Sequence, residues 1–238
     1  MHLSEVTYSE EATVAAVRDY YQFLASMYLD KTVIQEPPKD GWPCITPESM
    51  RGLGKTDKVI SLLRHLPYIH SPRYDQGPDA LPSCMFADWK TRTEDQNGFG
   101  TDKYSKFARM SSEGAGIYED VPPDVIGLTW DAEDRYIFLL DTRLGVVYWV
   151  ECDYHLRLHS SRPCIRDCAY DYAPENEADA FRGESGTWAI ADFFQVLKDQ
   201  YKHLNFLPQS SMRNYHKDDC MRAVRSALLE HNYHVDDI

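Results

Sequence analysis

The chain has 238 residues, of which 43% are hydrophobic and 26% are charged, a balance typical of a globular protein with one substantial core. Its net charge of −13 comes from 25 basic and 38 acidic residues. This surplus argues against a dedicated nucleic-acid binder and against docking on anionic lipid, because both partners require a basic face. We therefore expect a single domain over residues 1–238 that binds neither nucleic acid nor a membrane.

Three further features bear on the compartment. No stretch approaches the roughly 20 apolar residues of a membrane span. The N-terminus, Met1–Glu5, lacks the charged-then-apolar build of a secretory signal peptide. Six cysteines spread over 238 residues make a disulfide framework improbable. We expect an intracellular protein, cytoplasmic or nuclear, with reduced thiols.

The first predicted element is a helix from about Ser9 to Leu29. Thr7 followed by Glu10 fits a capping box. Apolar residues then recur at spacings of three and four, which is helical periodicity. This stripe, which we expect to dock on a sheet, contains Val14, Val17, Tyr21, Leu24 and Tyr28.

The segment after this helix is predicted to be a connector with two short helices. Glu36–Pro43 is dense in proline and therefore extended. One helix starts at Thr46 and ends at Gly52 or Gly54. The next, from Asp57 to His65, is capped by Thr56 and stopped by Pro67.

Between Tyr68 and Glu119 the sequence has little periodicity. Cys84–Trp89 and Gly116–Tyr118 are candidate strands, whereas the polar run Lys90–Lys106 predicts a long loop.

Three β-rich runs separated by short polar connections predict an antiparallel meander. Its strands cover about residues 125–130, 135–141 and 146–152. Alternation in the third strand places Tyr148 and Val150 on one face and Val147, Trp149 and Glu151 on the other. Aromatic residues on both faces indicate that both are at least partly covered.

Two helices are predicted after the meander, the first starting at Trp188 with Thr187 as its N-cap. Its apolar face contains Ile190, Phe193, Phe194, Val196, Leu197, Tyr201 and Leu204. The second runs from about Met212 to Leu229. Helices that flank a meander define an α+β fold with N- and C-terminal helices packed on the sheet, unlike the alternating order of a Rossmann domain.

Three of these segments carry a family resemblance. Leu140–Thr142 before a glycine turn, Val146–Tyr148 after it, and the helix opening Trp188–Phe194 resemble the SUKH superfamily. That family includes the yeast regulator of cell-wall glucan synthesis and bacterial toxin-immunity proteins. The resemblance implies a non-catalytic protein-binding module with a cleft on one side of the sheet.

A second resemblance concerns the N-terminal half. Pro37–Pro43, Leu53–Thr56 and Leu62–Ile69 are similar to a group of uncharacterised filamentous-fungal proteins.

Two motifs imitate catalytic sites without satisfying their requirements. Gly54-Lys55-Thr56 resembles the end of a phosphate-binding P-loop, but Ser49 stands where that motif needs its first glycine. The carboxylates Asp131, Glu133 and Asp134 lie in a predicted hairpin connection, and a polar turn explains them better than acid–base chemistry does.

A denser cluster of candidate metal ligands follows the meander: Cys152, His155, His159, Cys164 and Cys168. Thiolate and imidazole are the ligands that zinc prefers, and four of these five could close a tetrahedral site. The spacing matches no standard zinc finger, and a buried thiol at a strand end is common. We therefore favour no cofactor and keep zinc as the weaker alternative.

The remaining candidates are histidines and aromatic residues. His65, His70, His155 and His159 are the candidate acid–base residues if the protein is an enzyme. Arg64 and His65 also suit the C-terminal end of a helix dipole, which is the simpler interpretation. For binding we single out Arg64, Tyr68, Trp130, Trp149 and Trp188, since aromatic residues dominate such contacts.

Two functions follow from these observations. The first is a SUKH-like regulatory module that recognises a protein partner through its sheet face and the Tyr68–Glu119 region. The alternative is a small enzyme of fungal specialised metabolism, with or without assistance from a metal ion, with a small-molecule pocket between residues 68–119 and the sheet.

Overall fold

A four-stranded antiparallel sheet with the strand order β4-β6-β7-β8 organises the fold in the computed structural model. The structure describes residues 1–71, 78–96, 98–100, 102–130, 136–167 and 180–206. The strands are β4 (Val125–Gly127), β6 (Ile137–Asp141), β7 (Val146–Val150) and β8 (Gly186–Ala189). Helices flank this sheet, which confirms the predicted α+β class.

The first predicted strand, 125–130, is divided in two. Its second part, β5 (Thr129–Trp130), leaves the central sheet and pairs with β3 (Met85–Phe86). Between the two parts, the Leu128 N–H donates to Phe138 O and its carbonyl accepts from Ala87 N. One residue thus joins the two sheets, a connection that period-two alternation alone does not reveal. The third strand ends at Val150 rather than at residue 152, because Glu151 has a φ of 55°.

The predicted start of the helix after the meander is wrong. Thr187 does not cap a helix; it lies in β8, opposite Tyr148. Helix α7 (Ile190–Lys202) begins after it, with Ala189 as the N-cap residue. The fourth strand provides backbone partners for the edge of β7 that a three-stranded meander would leave unpaired. The apolar face of α7 is buried as predicted, whereas Leu204 lies beyond its end.

Both faces of the sheet are covered, as the alternation in β7 predicts. Val147 and Trp149 belong to the main core, which Phe193 of α7 also enters. The Phe138 and Phe193 rings, 4.9 Å apart, join sheet and helix. On the other face, Tyr148 packs with Phe181 of α6 (Ala180–Glu184) in a second cluster. The central sheet therefore has a buried interior on either side.

Helix α1 (Glu10–Met27) packs on α7, the helix that itself covers the sheet. The Tyr20 and Phe194 rings lie 5.6 Å apart in this contact. The N-cap of α1 is Ser9, whose hydroxyl accepts from Ala12 N at 3.2 Å, so the predicted capping box at Thr7 is wrong. Ser9 sits one residue before the helix with extended backbone, the arrangement that a capping hydroxyl needs.

Helix α2 (Asp57–His65) has the predicted bounds. The Thr56 hydroxyl donates to Asp124 at 3.2 Å rather than capping the helix. Before it, a short 3-10 helix (Arg51–Leu53) ends at Gly54, which has a left-handed φ of 65°. Strand β1 (Ile34–Gln35), which precedes this region, pairs with β2 (Tyr68–Ile69), which follows α2.

The predicted loop over Lys90–Lys106 is wrong, because two helices occupy most of it. Helix α3 (Trp89–Asp95) is capped by Asp88, and α4 (Asp102–Glu113) follows. Gly127 lets α4 lie directly against β4, since a Cβ at that position would come within 1.9 Å of Ser112 O.

Other sequence predictions have different outcomes. Gly116–Tyr118 forms turns rather than a strand. A short helix, α5 (Tyr154–His159), follows the sheet. The predicted helix Met212–Leu229 and the acidic connection 131–134 lie outside the described residues. No helix among the described residues is long and apolar enough to cross a membrane.

Candidate functional site

Helix α4 presents two large aromatic side chains to solvent beside two lysines. Tyr104 and Phe107 are 47% and 50% exposed, and Lys103 and Lys106 beside them are also exposed. We call these four residues the α4 surface. Exposed aromatic side chains that lie together are unusual on a folded protein and often mark a contact site.

The α4 surface rests on a rigid aromatic base. Phe107 meets buried Trp130 edge-on, with 6.0 Å between ring centroids. Trp89 of α3 contacts the same indole at 6.0 Å. The Arg92 guanidinium lies 3.5 Å from the centroid of the Trp130 ring, a cation–π contact. Trp130 was predicted as a binding residue, and it supports this surface from below.

Lysine ammonium groups and a carboxylate lie together at this surface. Lys106 lies 5.7 Å from the centre of the Tyr118 ring and 3.8 Å from the Glu119 carboxylate. Hydrogen bonding to Tyr118 raises the pKa of Lys106, so its ammonium stays charged. Lys103 forms no ion pair within the described ranges.

A buried ion-pair network fixes α4 to the rest of the fold. Lys55 Nζ lies 2.6 Å from Glu113 Oε1, and both side chains are almost fully buried. Arg109 Nε donates to the other Glu113 oxygen at 3.0 Å. Burial raises the pKa of Glu113 and lowers that of Lys55. The residues that imitate a P-loop therefore provide a structural lysine.

His70 lies beside a buried carboxylate and is hydrogen-bonded to a threonine. Its Nδ1 lies 3.6 Å from Asp88 Oδ2 and 3.2 Å from Thr91 Oγ1. Asp88 also accepts from Ser71 N and Thr91 N, which fixes its orientation. The imidazole is about one-third exposed, so it combines a fixed orientation with access to solvent.

The other residues around Pro67 connect elements of the core. His65 Nδ1 lies 2.9 Å from both Ser61 O and Glu10 Oε1, which links α2 to the start of α1. Tyr68 is buried and donates to Leu63 O. Arg64, on the last turn of α2, lies against Gly41. These three residues do not join His70 in one site.

Trp149 and Trp188, the other predicted binding residues, are core residues. Trp149 packs on Phe138 with 4.9 Å between the rings. Trp188 is fully buried, and its indole N–H donates to Arg162 O at 3.2 Å. Neither side chain presents a free face to a partner.

The predicted metal ligands separate into two groups. Cys152 and Cys164 are turned inward, and burial raises the pKa of the Cys152 thiol to about 12. His155 and His159 are exposed on α5, with their rings 6.2 Å apart. Cys168 lies outside the described residues. In the described part of the chain, no three His, Cys, Asp or Glu side chains form a group suited to a metal ion.

Sequence patterns did not predict the α4 surface or a buried ion pair of Arg182. Three of the four residues of the α4 surface lay in a predicted loop, although Lys103 and Phe107 have the spacing of one helical turn. Arg182 reaches across the second cluster to Asp141 and Tyr148, with both contacts at 2.6 Å. These partners are 41 and 34 positions away in sequence, and no local pattern indicates such a pairing.

Protein-family models, curated proteins and solved structures all give no match to this chain.

Proposed function

We propose that this chain is a non-catalytic, SUKH-like regulatory module that binds a protein partner through the α4 surface. The single observation that carries the proposal is the exposure of Tyr104 and Phe107 on a helix held rigidly by the Lys55–Glu113 ion pair. A preorganised aromatic surface loses little side-chain entropy on binding, which favours association. The contact region lies within Tyr68–Glu119, while the faces of the sheet serve the core.

The chemistry of the surface selects the kind of partner. Tyr104 and Phe107 offer apolar area, and Lys103 and Lys106 place positive charge beside it. The complementary ligand is an acidic protein segment that carries an aromatic or aliphatic anchor residue. Two aromatic side chains form a small contact, so we expect the complex to be transient.

A peptide-display selection against the purified chain tests this proposal. Selected peptides are expected to be rich in Asp and Glu around one large apolar residue. Phe107→Ser should weaken their binding by about tenfold or more, because exposed aromatic anchors dominate small interfaces. Lys103→Glu with Lys106→Glu should weaken it as well, since the sign of the flanking charge is reversed.

The matched control is Tyr154→Ser with Leu158→Ser, which removes an exposed apolar pair on α5. This variant should keep full affinity. If peptides bind both variants equally, or if the selected peptides are basic, the α4 surface is not the contact site. If the chain self-associates and Phe107→Ser abolishes this association, the partner of the α4 surface is a second copy of the chain rather than an acidic segment of another protein.

One observation favours the enzyme alternative. Thr91 hydrogen-bonds His70 Nδ1 next to buried Asp88 while the imidazole stays accessible, an arrangement that suits a general base or acid. We propose this small-molecule activity only as the second candidate function. His65, His155 and His159 have no comparable buried carboxylate partner in the described residues.

Native mass spectrometry and a panel of chromogenic ester substrates test this alternative. A bound metabolite or turnover that His70→Gln abolishes, with unfolding unchanged, would support it. Activity that survives in His70→Gln would exclude catalysis by His70 and, with it, this alternative.

A further inference from the structure

Helix α5 (Tyr154–His159) carries two exposed histidines one helical turn apart. The rings of His155 and His159 lie 6.2 Å apart and nearly parallel, with 20° between their planes. Asp153 fixes the start of the helix by accepting from His155 N at 2.8 Å and Leu156 N at 3.2 Å. The backbone thus sets the spacing of the two imidazoles, while their exposure leaves the side chains free to rotate.

Two imidazoles one helical turn apart can share one ion once both rings rotate so that a nitrogen of each faces it. Ring nitrogens bind zinc at about 2.0–2.1 Å, and imidazole also suits copper and nickel. A helical turn brings residues four apart to neighbouring positions on one face. We propose that His155 and His159 form a two-histidine site for a divalent transition-metal ion, with water completing the coordination.

The buried cysteines are not needed for this site. Cys152 donates to Asp153 O and Cys164 donates to Arg157 O, so both thiols are engaged beneath the helix. Burial raises the pKa of both thiols, and the positive charge of Arg157 only partly offsets this effect. A metal requires thiolate rather than thiol, and the exposed imidazoles are therefore the available ligands.

Titration of the full chain with Zn²⁺, in competition with a chromogenic chelator, tests the proposal. The wild-type chain is expected to bind one equivalent at this site. His155→Ala and His159→Ala should each weaken that binding at least tenfold, since each removes one of two protein ligands. His203→Ala, which removes an exposed histidine on the turn after α7, is the matched control and should leave it unchanged.

Amide hydrogen exchange is a second measurement, and unlike chelator competition it shows which part of the chain binds the ion. A shared ion clamps one helical turn, so exchange over residues 154–159 should slow when zinc is added to the wild-type chain but not to His159→Ala. Two outcomes would overturn the proposal. One is zinc binding in the wild type that the His155→Ala/His159→Ala double variant retains. The other is loss of binding in Cys164→Ser, which would indicate a mixed thiolate site.

Discussion

The Lys55–Glu113 ion pair lies in the interior of the protein, where removing one partner costs more than removing both. Lys55→Met leaves Glu113 with Arg109 alone, and Glu113→Leu leaves an unpaired buried ammonium. Each single change should lower the free energy of unfolding by about 3–5 kcal/mol, because an uncompensated charge stays buried. The double variant should lose less than either single variant. Urea denaturation measures all three.

An exposed ion pair supplies the control for this comparison. Arg51 and Glu48 approach to 3.4 Å with both side chains largely exposed. Glu48→Gln should change the unfolding free energy little, since exposed pairs contribute little to stability. Equal losses in the two pairs, or additive losses in the Lys55→Met/Glu113→Leu variant, would contradict a coupled buried pair.

Cys152 is expected to react slowly as long as the chain is folded. Burial raises the pKa of its thiol from 9.0 to about 12, which at pH 8 lowers the reactive thiolate fraction roughly a thousandfold. Iodoacetamide labelling mapped by mass spectrometry should therefore be slow in buffer and fast in guanidinium. The stability that the protonated thiol provides is lost as pH rises from 9.0 towards 12, because the unfolded chain releases the proton first. Equally fast labelling in both solvents would show that the thiol is accessible.

The placement of α4 against β4 depends on one glycine. A Cβ at Gly127 would come within 1.9 Å of the backbone oxygen of Ser112, so Gly127→Ala must push helix and strand apart. We expect a loss of about 3 kcal/mol, the upper range for overpacking, measured by urea denaturation. Gly116→Ala is the control, because a Cβ there meets no atom within 4 Å. A neutral Gly127→Ala would mean that α4 does not pack closely on the sheet.

Elements with a regular apolar period could be predicted from the sequence, and elements without one could not. Helix α2 and the apolar face of α7 follow a 3.6-residue period, and β6 and β7 alternate between two cores. Helix α3 escaped prediction because the residues that it buries include Thr91, Arg92 and Thr93. Their polar groups obscure the pattern, although long-range contacts such as Arg92 on Trp130 stabilise them.

The sequence predicted single residues of the candidate site but not the contacts between them. Sequence chemistry identified His70 and Trp130 as residues of interest, but it could not place Asp88 beside His70 or Phe107 above Trp130. Such pairings depend on how separate elements pack, and no local period encodes them. Spacing in the sequence also grouped Cys152 with His155 and His159 as metal ligands. In the structure Cys152 is buried, whereas helix α5 exposes both histidines to solvent.

For the whole molecule, the net charge of −13 and the local charge of the α4 surface act in opposite directions. An acidic partner segment is repelled by the protein as a whole and attracted by Lys103 and Lys106. Electrostatic screening separates these effects, because the Debye length is about 30 Å at 0.01 M salt and about 8 Å at 0.15 M. At low salt the distant acidic residues contribute, whereas near physiological salt only charges within about 8 Å do, which are Lys103 and Lys106 together with Glu119 beside Lys106.

The affinity for an acidic peptide should therefore pass through a maximum as salt increases. Between 0.01 M and about 0.15 M the long-range repulsion is screened first, and affinity rises; towards 1 M, where the Debye length is about 3 Å, the attraction of the lysines is screened as well. Fluorescence anisotropy with a labelled peptide over this range measures the curve. In the Lys103→Glu/Lys106→Glu variant the maximum should disappear, leaving affinity that only rises with salt. A steady decrease from 0.01 M in the wild-type chain would mean that the local lysines outweigh the net charge at every ionic strength.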